Sequence, residues 1–189
     1  MQHQDRFKAA LECLTREIDA LRNEQAAIGA YREVPSPKNT FLALAFTALL
    51  GDRLVRLIRV FEDEKDGESF WSLYRRAPQR MKNLDLERLR QFSGKLRTVR
   101  YLIFAHLHNK GSFDPMAILD TGGITDSDMV HAVETVRRAL YDLSVEEFGK
   151  VPEAFTENAG SCSYRPDFDS LKRRVKKDIA KLSITHPSP

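Results

Sequence analysis

Arg100 and His106 are the residues of this chain whose types and spacing could do chemistry. They stand six positions apart in RTVRYLIFAHLHNKG, residues 97–111, an apolar run with helical periodicity. An arginine offers a planar, permanently charged fork that suits phosphate. A histidine exchanges a proton near neutral pH and can serve as general acid or base. Phe92, Leu96, Val99 and Ile103 mark the centre of the apolar stripe. At about 100° per residue, Arg100 falls roughly 60° to one side of that centre and His106 a similar angle to the other. Both are expected to be partly buried, about 9 Å apart along the axis, able to reach one anion without stacking. His106 falls in the final turn, where the helix dipole favours the imidazolium. A second copy of the helix about a two-fold axis would set two arginines and two histidines around one cleft.

The neighbours qualify this picture. Arg97 lies on a different face from His106 and reads as a surface or phosphate-contacting cation. His108, Asn109 and Lys110 form a polar helix end before Gly111, solvent-facing and placed to touch a phosphate substrate. His131 and Glu134 are spaced as a metal pair but lack further ligands, so no metal is expected. Neither a catalytic serine or cysteine arrangement nor a glycine-rich phosphate loop is legible, and no cofactor is expected.

The elements that must position the pair are helices. The first, about 4–30, places Phe7, Leu11, Leu14, Ile18, Leu21 and Ile28 on a heptad-like seam broken by Gln25. Ser36 and Pro37 introduce a second helix to about 63, apolar on all sides from Phe41 to Leu50, which predicts a central helix or a subunit contact. In its second half Leu54, Leu57, Ile58 and Phe61 oppose Arg53, Arg56 and Arg59. A turn, EDEKDGES, leads to a short helix around Phe70, Trp71, Leu73 and Tyr74, closed by Pro78. Trp71 and Tyr74 are expected to pack rather than to stack on bases. The fourth helix spans about 84–109. SFDPMAILDTGG reads as a loop of unusual length. Thr125 and Asp128 form a capping box for a fifth helix to about 149, buried along Met129, Ala132, Val133, Val136, Leu140 and Leu143. A basic helix at about 166–182 closes the chain. The fold expected is an all-α, single-domain bundle of five or six helices, its core over about 4–149.

Composition fits that class. The 189 residues, 42% hydrophobic and 30% charged, suit one domain with a sizeable core. No apolar stretch is long enough to span a bilayer, and no secretory signal is visible, so no membrane is expected. Cys13 and Cys162 show neither metal nor disulfide spacing and read as thiols of a cytoplasmic protein. The net charge is +3, but YRRAPQRMK and LKRRVKKDIAK are strongly basic. Such runs permit an anionic partner; their plainer reading is a solvated helix face.

The run RYLIFAH, an arginine with five residues before a histidine on a late helix, resembles the R-x(4–6)-H signature of the HEPN superfamily. It is closest to the abortive-infection branch, where Arg100, Ala105, His106 and Lys110 match parts of the pattern. Two flanking stretches are similar too: residues 41–76, with their apolar helix and acidic turn, and GITDSDMVHAVETV. The likeness thus covers about residues 40–145. It implies a homodimeric, metal-independent endoribonuclease of a phage-defence or toxin–antitoxin system, with an antitoxin or defence partner. Arg100 would bind the scissile phosphate and His106 would assist proton transfer during attack by a ribose 2′-hydroxyl. Tyr101 departs from the Asn, Asp or His usual after the arginine in active members. It favours the alternative, a catalytically silent HEPN-like bundle that binds nucleotide, RNA or a partner protein. A third reading is a structural dimerisation module with the pair as its polar rim.

Overall fold

The computed structural model describes residues 2–32, 40–63, 68–82, 84–108 and 114–152, with the side chains of residues 2–3, 40–42 and 105–108 outside that description. The chain is all-α, with six α-helices and no strand among these residues. In order they are α1 (Gln2–Arg32), α2 (Thr40–Phe61), α3 (Phe70–Arg76), α4 (Leu86–His108), α5 (Pro115–Thr121) and α6 (Asp126–Phe148). A 3-10 turn at Pro78–Arg80 follows α3. The basic segment at about 166–182 lies outside the described residues.

The long α1 forms one wall of the bundle, and its seam is buried as the heptad spacing predicts. Phe7, Leu11, Leu14, Ile18, Leu21 and Ile28 all lose their contact with solvent. They pack on α2 and α6, while α4 closes the other side of α2. On α6, the capping box of Thr125 and Asp128 is formed in both directions, and Gly149 ends the helix in the left-handed region at φ 67°. All six of the core positions expected on α6 are buried. Phe61 meets Phe92 edge-on at 5.1 Å, and Phe70 meets Trp71 in the same way, also at 5.1 Å. Trp71 donates its indole N–H to Ser93 Oγ at 2.8 Å, which ties α3 to α4 and gives Trp71 a packing role.

Three expectations are corrected. The segment read as a loop after α4 contains α5. Asp114 caps it by accepting from Met116 N and Ala117 N, Pro115 opens it, and Ile118 and Leu119 are buried. Of the two readings of the first half of α2, the central one is overturned and the subunit contact is left standing: Ala43, Leu44 and Ala45 are exposed in the single chain, and burial begins at Leu50. Finally, Arg53 is not on the solvent face of α2. It is 2% exposed, buried against α1 and α6.

Candidate functional site

The flanking position expected of Arg100 follows from the burial of its neighbours. Leu96 and Val99 point into the core, Arg100 keeps 37% of its side-chain exposure, and Tyr101 keeps 67%. The Arg100 guanidinium forms an ion pair with Glu62, the residue immediately after α2. Glu62 N donates to Ile58 O at 2.8 Å, so its backbone extends the last turn of α2 and directs the carboxylate at α4. The guanidinium also lies 5.7 Å from the centroid of the Phe104 ring, one turn along the helix, within range of a cation–π contact.

Arg97, Tyr101 and Phe104 share a face with Arg100. At the helical repeat the four fall within an arc of roughly 100°. Arg97 is exposed, and Tyr101 and Phe104 are among the most exposed large apolar residues, at 67% and 58%. Two cations and two solvated rings on one face can hold phosphates and stack on bases. Sequence reading assigned the arginines but neither ring nor Glu62. Two aromatic positions outside the apolar stripe were the available signal for the rings. An acidic residue at the end of another helix carries no such signal.

His106 belongs to the last turns of α4, roughly 120° around the helix from Arg100. Its side chain and that of His108 lie outside the described residues, as do Asn109 and Lys110. The His131 and Glu134 spacing does not assemble a ligand set. Glu134 takes Arg22 at 3.2 Å and Arg137 at 2.8 Å, and a ring nitrogen of His131 lies 3.5 Å from the Thr135 hydroxyl.

A second concentration of charge lies between α1 and α2. Arg56 is surrounded by Glu24 at 2.8 Å, Glu17 at 3.0 Å and Asp52 at 3.0 Å. Burial pushes the Glu24 carboxyl up to about 7 from 4.5, against the pull of Arg56, and the nearby Asp52 carboxylate adds to the rise. Its Oε2 has no hydrogen-bond partner among the described residues. Compared with protein-family models, curated proteins and solved structures, the chain finds no match.

Proposed function

We propose that this chain is a HEPN-like helical bundle that acts on RNA through α4, as a metal-independent endoribonuclease working as a homodimer in the cytoplasm. A defence or toxin role, with an antitoxin or defence partner, accompanies that reading. The observation that carries it is the arc of Arg97, Arg100, Tyr101 and Phe104, two cations interleaved with two solvent-exposed rings. Single-stranded nucleic acid is held by this combination, phosphates on guanidinium groups and bases on ring faces. In this reading Glu62 occupies Arg100 until an RNA phosphate displaces it. The ribose 2′-oxygen then bonds to phosphorus and loses its proton. The bond from phosphorus to the 5′-oxygen breaks, and that oxygen takes a proton. His106 serves one of these transfers, and a 2′,3′-cyclic phosphate is left.

A second reading is a binding bundle without turnover, for RNA, nucleotide or a partner protein. The pairing of Arg100 with Glu62 and the solvent-exposed Tyr101 next to it support that reading. One experiment separates the two. Wild type, Arg100→Ala and His106→Ala, matched for folding by circular dichroism, are incubated with total cellular RNA in EDTA. Cleavage by wild type alone, with cyclic phosphate ends and at least about 100-fold loss in each variant, is expected of the endoribonuclease. Wild type that binds but never cleaves RNA, with binding lost in Arg100→Ala, would establish the second reading. Equal cleavage by all three would sink both.

A further inference from the structure

The face of α4 that carries Arg97, Tyr101 and Phe104 continues towards the start of the helix through Gly94 and Arg90. These positions follow one another in alternating steps of four and three, fall within an arc of roughly 80°, and are all exposed. Arg90 and Phe104 are about 21 Å apart along the axis. The Arg90 guanidinium lies 6.0 Å from the centroid of the Trp71 ring, within range of a cation–π contact. That ring is buried and donates to Ser93 Oγ on α4, so the cation rests on a fixed base. Among the described residues neither Arg90 nor Arg97 forms an ion pair, whereas Arg100 has Glu62. Gly94 leaves the surface between the two arginines flat, and a Cβ there would meet nothing within 4 Å. Glu87, one turn before Arg90, accepts from Gln91 at 3.1 Å and ends the cationic run.

Cations and rings are therefore sorted along the helix. Arg90 and Arg97 lie towards its start, Tyr101 and Phe104 towards its end, and Arg100 stands at the division. A strand with one phosphate on Arg100 can run its backbone over Gly94 towards Arg90 and lay bases on the two rings. At a rise of about 3.4 Å per nucleotide, this length of helix holds roughly six nucleotides. We propose that the α4 face is a two-part site for a single RNA strand of about that length, with a phosphate half at Arg90, Gly94 and Arg97 and a stacking half at Tyr101 and Phe104. The inference rests on the reading of α4 as an RNA face. It adds the path of the strand and a division of labour: the first half supplies salt-dependent affinity and the second supplies affinity that salt does not change.

The test is binding of fluorescently labelled hexauridylate to the full chain, followed by anisotropy from about 50 mM to 200 mM salt. On a single strand each neutralised phosphate adds about 0.7 to the steepness of log K against log salt. Arg90→Gln should therefore make the slope shallower by about 0.7. Tyr101→Ser should weaken binding by about tenfold and leave the slope as it is in wild type. Gly94→Glu sets a carboxylate between the two arginines, and Gly94→Gln sets a neutral side chain of the same shape there. Both fit the open surface, and the Glu variant should bind about three- to tenfold more weakly than the Gln variant at low salt. An unchanged slope in Arg90→Gln, or equal binding by the two Gly94 variants, overturns the strand path and leaves RNA binding at Arg100 standing. Absence of binding by wild type overturns the RNA reading itself, and the path with it.

Discussion

Arg100 shows how a single ion pair can set the sensitivity of a surface. Its partner Glu62 and Arg100 itself keep 27% and 37% of their side-chain exposure, so water screens the pair. Pairs of this kind contribute about 0.2–1 kcal/mol. That is too little to hold the fold, but it competes with any anion that needs the same guanidinium. Removing the carboxylate charge should therefore favour RNA. Glu62→Gln is expected to tighten binding of a single-stranded oligonucleotide by about two- to fivefold at low salt. Fluorescence anisotropy measures it, and weaker or unchanged binding would show that Arg100 is not a phosphate contact. The half-buried flank of Arg100 was legible in the sequence, because it follows from the phase of Leu96 and Val99 on one helix. Glu62 was not, since its approach to Arg100 depends on how α2 and α4 pack, and spacing within a helix says nothing of that. Nor was the burial of Arg53. Its alternation with Leu54 and Leu57 reads as a polar face, and only the placement of α1 and α6 turns that face inward.

At the scale of elements, long helices were legible and the short one was not. The seams of α1 and α6 repeat over several turns, so the period declares itself and the burial follows. α5 has seven residues, too few for a period, and stands on its cap at Asp114 and on two buried side chains. Its far end explains how it is held against α4. Gly122 has an ordinary helical φ of −74°, so backbone freedom is not its use there. A Cβ at Gly122 would collide with Cγ2 of Val99, a fully buried residue beside Arg100, and would also sit 3.3 Å from Ile118 O. The glycine lets α5 approach the helix that carries the site. Gly122→Ala should destabilise the protein by about 1–3 kcal/mol, measured by urea unfolding. Gly94→Ala is the control on α4, where the added methyl meets nothing within 4 Å. There the loss of backbone freedom in the unfolded chain should stabilise by roughly 0.5–1 kcal/mol. Equal effects at the two positions would show that the approach of α5 to α4 is not tight.

For the whole molecule, the bundle buries ionisable groups of α1 and α2 together with its apolar seam. No described helix is long and apolar enough to cross a membrane. Among the described residues, Glu24, 8% exposed, is a buried carboxyl whose titration is moved close to neutral pH. Its carboxyl rises to about 7 in the folded chain from an ordinary 4.5, so folding favours the protonated form. Between those two values the folded state holds a proton that the unfolded state has released. Stability from this group is therefore complete below about 4.5 and is lost as pH rises through about 7. Asp128 and Glu147 have carboxyls held below their ordinary values, so they add a slope of opposite sign only at the acid end of this window, while burial raises the Asp19 carboxyl in the same direction as that of Glu24. The full rise, with the pull of Arg56 already in it, would correspond to about 3 kcal/mol. Glu24→Gln keeps the shape of the protonated acid and cannot ionise. The difference in unfolding free energy between variant and wild type should move by about 3 kcal/mol in favour of the variant from pH 4.5 to pH 8. Urea titrations at half-unit intervals measure it, and parallel curves for the two proteins would mean that Glu24 is ionised in the core throughout, held by Arg56. The contribution of Glu24 taken alone thus favours a closed α1–α2 seam in mild acid over neutral pH.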